Sequence, residues 1–132
     1  MFLTLAGLPV ENPAMAMATN RLHASIAHAD EHLKNNKWLA GEDFAAADVI
    51  NVYGLTTQRY WWPNVSLAEY PNVLRWLRDV GARPGYRRAM EKGDPEMEPL
   101  LGAEALTMTL MQNEGLGRGS GRGRGCRRVV FV

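Results

Sequence analysis

His28 and His32 stand four residues apart, a spacing that puts both imidazoles on one face of a helix and can begin a metal site. No third ligand is placed to complete it, so the pair reads as a solvated flank and no metal is expected. Asp48 is the second candidate for chemistry. It lies in the run Leu39-Ala40-Gly41-Glu42-Asp43-Phe44-Ala45-Ala46-Ala47-Asp48-Val49, at the third position of a helix that should begin near Ala46. A carboxylate there accepts hydrogen bonds from backbone N–H groups that have no helical partner, and it complements the positive end of the helix dipole. Phe44 and Val49 stand where a hydrophobic staple joins residues across a helix start. Asp48 therefore reads as a structural cap. No residue is assigned as nucleophile, general acid or general base, so no catalytic residue is expected.

The remaining candidates lie later in the chain. Trp61 and Trp62 either pack the end of a helix or line a ligand pocket. The single cysteine, Cys126, has no partner for an internal disulfide, which fits a reducing compartment such as the cytoplasm. It sits in a tail, Gly115–Val132, that carries five arginines and no acid, and six of the first eleven tail residues are glycine. Such a segment cannot bury enough apolar surface to fold and is expected to be disordered. The stretch Gly117–Gly125 is similar to arginine–glycine segments that bind RNA through charge and stacking. It is short, however, and has no aromatic before Phe131. A shifted or truncated reading frame accounts for it equally well. The rest of the chain holds ten basic residues against fourteen acidic ones, a net −4. Nucleic-acid contact is therefore expected weakly, if at all, and only through the tail.

Stepping outward from these residues, the elements that must position them are helical. Residues 1–18 read as a lead-in, a partial helix or loop broken by Pro9 and Pro13. The apolar start resembles a signal sequence but lacks a basic leading region, and no apolar run approaches the length of a membrane span. Leu22, Ile26, Ala29 and Leu33 place one apolar face on a helix from Thr19 to about Lys34, with Thr19 or Asn20 as its cap. In the next helix Val49, Ile50, Val52, Tyr53 and Leu55 cover more than one side, which predicts burial at the centre of the domain. Pro63 ends it. A third helix should run from about Pro71 to Val80, with the stripe Val73, Trp76, Leu77 and Val80, and stop at Gly81. A fourth, short helix should follow Pro84. Residues 93–101 read as an extended proline-bearing strap, and residues 103–113 as one further helix. The fold class is all-α, a bundle of four to five helices over residues 19–114, followed by the disordered tail 115–132.

Two motifs give these elements a family likeness. The Leu39–Val49 run is followed by Tyr70-Pro71-Asn72-Val73-Leu74-Arg75-Trp76, then by Ala82-Arg83-Pro84. Together they resemble the C-terminal domain of glutathione transferases, where the pattern reads LAG-x-x-F-[ST]-x-A-D-[IV], then YP-x-[VL]-x-x-W, then A-R-P. The likeness spans roughly residues 19–102, and Met90-Glu91-Lys92-Gly93-Asp94 leans toward the fungal and bacterial members. It implies that Phe44 and Asp48 form a structural helix cap. It also implies that Thr57, Tyr60 and Trp61 line the site for a hydrophobic co-substrate when the family's other domain is in place.

This sequence departs from the family pattern twice. Ala45 stands where Ser or Thr is usual, which removes the capping oxygen at a cost of about 0.5–2 kcal/mol. Nothing in these 132 residues reads as the thioredoxin-like domain that holds glutathione, the family's co-substrate, and the residue that activates its thiol. The resemblance therefore implies a domain that binds no cofactor on its own and is inactive alone. Its expected partners are the thioredoxin-like domain or a second copy in a homodimer. The parent activity it implies is conjugation of glutathione to electrophiles or glutathione-dependent reduction. A non-catalytic protein-interaction module of the same fold is the alternative.

Overall fold

The computed structural model describes residues 12–60 and 65–104. Helix α1 spans Pro13–Asn35, α2 Ala46–Leu55, α3 Pro71–Gly81 and α4 Pro84–Gly93, with a short 3-10 turn at Thr57–Tyr60 after α2. No β-strand occurs among the described residues; a single antiparallel bridge joins Trp38 to Gly41. The all-α class holds. The further helix expected over 103–113, the tail 115–132, Trp61 and Trp62 fall outside the described residues, apart from 103 and 104.

Helix α1 begins six residues earlier than the periodicity suggests. Asn12 takes an extended conformation, and its side chain accepts the amide of Ala14 at 2.9 Å. Pro13 follows with its φ already fixed for a helix and no N–H left to satisfy. Asn-Pro is thus a stronger start than Thr19-Asn20, which lie inside the helix and are exposed. A helical Pro13 looks like a breaker only if the helix is assumed to have begun before it.

Each of α1 and α3 supplies the cap that the other lacks. The N-cap residue of α3, Tyr70, makes no side-chain cap. Asp30 on α1 fills the place: its Oδ1 accepts the backbone amides of Asn72 (2.8 Å) and Val73 (2.9 Å), and its Oδ2 accepts from the side chain of Asn72. A carboxylate against the positive end of α3 is also favoured by the helix dipole. In return Arg75 on α3 donates to the last carbonyls of α1, Leu33 at 2.8 Å and Asn36 at 2.9 Å. Asp30→Ala should destabilise the chain by about 1–2 kcal/mol, the usual loss of an N-cap. Urea denaturation followed by circular dichroism measures this, and a loss below about 0.3 kcal/mol would show that the amides of α3 find other partners.

The core is built on α3. Val73, Trp76, Leu77 and Val80 are buried, as their stripe predicts, together with Leu33, Leu67, Ile26 and Val52. Helix α3 stops at Gly81, as expected, but not through a left-handed glycine cap: Gly81 is its last residue, and Ala82 after it keeps right-handed helical angles. The reason for glycine is space: a Cβ at Gly81 would collide with the side chain of Leu101 in the strap. The glycine that needs its conformational freedom is Gly41, at φ 111°, which closes the Trp38–Gly41 turn.

The expectation that α2 sits buried at the centre is corrected. Asp48 and Val52 are buried, but Val49 is 57%, Ile50 73% and Tyr53 53% exposed. The described residues cover one side of α2 only. Phe44 packs edge-on against Trp38, ring centroids 5.1 Å apart, with the guanidinium of Arg83 stacked 3.7 Å above it. Val49, the expected other half of the staple, leaves most of its surface in solvent.

Candidate functional site

Three local constructions surround α2, and each begins from one polar residue or one gap. The first is the Asp48 carboxylate. It is fully buried, and three donors converge on it: Leu39 N and Trp76 Nε1 on Oδ1 at 2.9 and 2.8 Å, and Ala45 N on Oδ2 at 2.9 Å. The capping box is half formed, as Ala45 requires. Asp48 reaches back to the amide of residue 45, but residue 45 contributes only its backbone carbonyl, to the amide of Asp48 at 3.0 Å. The two further donors were not foreseen. They tie the 38–41 turn and the indole of α3 to the start of α2, so one carboxylate joins three segments. A carboxylate so enclosed is not available to a reacting molecule, which agrees with a structural role.

The second construction is a groove. Helices α1 and α2 splay apart, and between them lies an open apolar trough of about 220 Å³. Leu22, Ile26, Ala29 and Leu33 form its α1 wall, and Gly54 and Leu55 its α2 wall. Val73 and Trp76 contribute from α3, and the polar lining residues are Ser25 on α1, Asn51 on α2 and Gln58 on the 3-10 turn. The stripe on α1 that reads as a core face therefore borders a gap along part of its length. The described lining carries no Asp, Glu, His, Lys, Arg, Cys or Tyr, and the Ser25 hydroxyl has no general base beside it among those residues.

The third construction is the 3-10 turn. Thr57 and Tyr60, expected as lining for a co-substrate, do not line the groove. The hydroxyl of Thr57, which is buried, donates to Sδ of Met90 on α4 at 3.9 Å. Tyr60 donates its hydroxyl to the carbonyl of Glu98 at 2.8 Å. Partial burial, and then the charge of Glu98, push the Tyr60 phenol above its usual pKa. Trp61 is outside the described residues. Between them Arg59 is buried to 1% exposure, and among the described residues no carboxylate pairs with it. Its guanidinium donates to the carbonyls of Leu100, Gly102 and Glu104, and burial lowers its pKa. The helix expected to run on to Arg59 or beyond stops at Leu55 and gives way to this turn, and no local signal in the sequence marks the burial of Arg59. His28 and His32 are both exposed, and among the described residues no three His, Cys, Asp or Glu side chains gather as a metal site.

The arrangement of α1 to α3, with an aspartate at the third position of a helix joined to a tryptophan on the next, can be set against known proteins. The model of the family described as "Glutathione S-transferase, C-terminal domain" matches residues 3–84. The chain belongs to this family. Within the curated proteins it is similar to "Glutathione S-transferase 3" of Schizosaccharomyces pombe, 38% identical over 69 residues, which is 52% of this chain and 27% of that protein. The chain thus spans about a quarter of the length of that relative. No solved structure matches it. In this glutathione transferase C-terminal domain the match ends at Pro84, so it takes in α1 to α3, the Asp48 cap and the groove. Helix α4 and the strap lie beyond it. No described helix is long and apolar enough to cross a membrane.

Proposed function

We propose that this chain is the helical half of a glutathione transferase. On this reading catalysis belongs to a thioredoxin-like domain that packs against it, and the chain alone is inactive. The observation that carries the reading is the outward face of α2. Val49, Ile50 and Tyr53 stand exposed beside the groove, although the sequence of α2 is patterned for cover on more than one side. Exposed apolar residues grouped in this way mark a surface that meets another protein surface. The working protein would conjugate glutathione to electrophiles or use it in reduction, in a cytoplasmic detoxifying role, with the thiol held by the other domain.

The test is a chimera. The C-terminal domain of an active family member is replaced by these 132 residues, and conjugation of glutathione to an aryl halide is measured. The expected result is measurable turnover, reduced at least ten-fold by Ile50→Glu, with the helical circular dichroism unchanged because Ile50 is exposed. Turnover indifferent to Ile50→Glu and Val49→Glu would contradict the assignment of this face. A folded chimera with no activity, whose helical half still binds protein partners through the same face, would favour the non-catalytic interaction module.

A further inference from the structure

The 3-10 turn that follows α2 lies inside the family match and holds a segment that lies beyond it. The geometry points to residues 94–104 as a detachable strap, latched by Arg59, that opens as one unit while α1 to α3 remain folded. Three residues of the turn hold three different points of the chain that follows α3: Thr57 holds Met90, Tyr60 holds the Glu98 carbonyl, and Arg59 holds the carbonyls of Leu100, Gly102 and Glu104. The strap has no helix or strand of its own, and its internal backbone bonds are two local ones, Met97 to Asp94 and Leu101 to Pro99. It is fixed from outside. Besides the turn, the amide of Leu67 donates to the carbonyl of Ala103 at 2.8 Å, and Leu101 rests in the notch left by Gly81.

Arg59 makes this attachment conditional. A guanidinium with 1% exposure and no carboxylate partner among the described residues is unusual, and among them its Nε has no hydrogen-bond partner either. Backbone carbonyls of the strap replace part of the water such a charge would otherwise hold. When the strap lifts, three carbonyl bonds are lost, but the cation regains full hydration. That gain offsets part of the loss, so Arg59 keeps a net hold on the strap, while opening the strap still costs far less than unfolding the core. The core keeps the bonds of Asp48 with Trp76 and the reciprocal caps of α1 and α3, none of which is hydrogen-bonded to the strap. Segments with few buried apolar contacts open locally in this way.

Native-state hydrogen exchange read by mass spectrometry tests the inference on the full 132-residue chain. The hydrogen-bonded strap amides of Met97 and Leu101 and the amide of Leu67 should exchange together, at least ten-fold faster than those of α3. Arg59→Gln should speed the strap group and Leu67 a further ten-fold or more and leave α3 protection unchanged. Leu101→Ala, which empties the Gly81 notch and spares the charge, should act in the same direction. If the strap and α3 exchange at one common rate in the unmodified chain, the strap opens only by global unfolding and the inference fails. That comparison needs no variant to fold. It fails also if Arg59→Gln folds and leaves strap exchange unchanged.

Discussion

Asp48→Ala is expected to destabilise the chain by about 4 kcal/mol, because three donors that converge on one buried carboxylate lose their acceptor together. An unsatisfied buried donor costs roughly 1–3 kcal/mol. The indole N–H of Trp76, inside the core, should bear most of the loss, and the amides of Leu39 and Ala45, nearer the surface, less. Against a total stability on the order of 5–15 kcal/mol for a domain, such a loss lowers the melting temperature by roughly 15–25 °C. Asp48→Asn keeps one acceptor oxygen but turns an NH2 group toward a donor, so about 2 kcal/mol is expected. Thermal and urea denaturation followed at 222 nm measure both. The ordering matters more than either figure: if Asn proves as costly as Ala, the carboxylate acts through its charge and not through its geometry.

Trp76→Ala is the second large effect. Trp76 is 1% exposed and is the largest fully buried side chain among the described residues. Truncating a buried tryptophan costs about 3–5 kcal/mol through lost transfer energy and the cavity left behind. Here the cavity would also open into the groove that Trp76 lines. Water can then enter, which places the expected loss toward the lower end of that range. Trp76→Phe separates the two roles of the residue. It keeps most of the ring volume and removes only the N–H, so about 1–2 kcal/mol is expected. Combined with Asp48→Asn, the two single losses should not add, because each removes part of the same hydrogen bond. A coupling of at least about 0.5 kcal/mol is the expected sign of direct contact. Strict additivity would mean that the bond at 2.8 Å contributes nothing net.

What the sequence revealed, and what it hid, divides by distance along the chain. The start of α3 at Pro71 and of α4 at Pro84, and the buried stripe Val73–Val80, were legible because caps and periodicity act over a few residues. So was the half-formed box at Ala45 and Asp48, which spans three positions. The other partners of Asp48 lie 9 and 28 residues away, and those of Asp30 on α3 lie 42 and 43 residues away. No local pattern encodes such pairs. Arg59 was missed for the same reason: its burial depends on a strap more than forty residues later.

Two departures are more instructive. Pro13 interrupts an apolar stretch and reads as a break, yet it is the first residue of α1, because proline stops a helix only from within. Apolar residues on more than one side of α2 predict a central place for it, yet the described residues cover one side only. Periodicity states which surfaces need cover, but it cannot state whether the cover belongs to the same stretch of chain. The exposed Val49, Ile50 and Tyr53 are that difference made visible, and the proposed role follows from it.

The claim on which the account rests is that the fold of these residues contains no catalytic group for glutathione chemistry. Its most direct test is to give the purified, folded 132-residue chain glutathione and an aryl halide and follow conjugate formation by absorbance. The account predicts a rate no greater than that of the same mixture without protein. Saturable turnover that rises with protein concentration would contradict it, and would mean that a thiol-activating site exists within this chain.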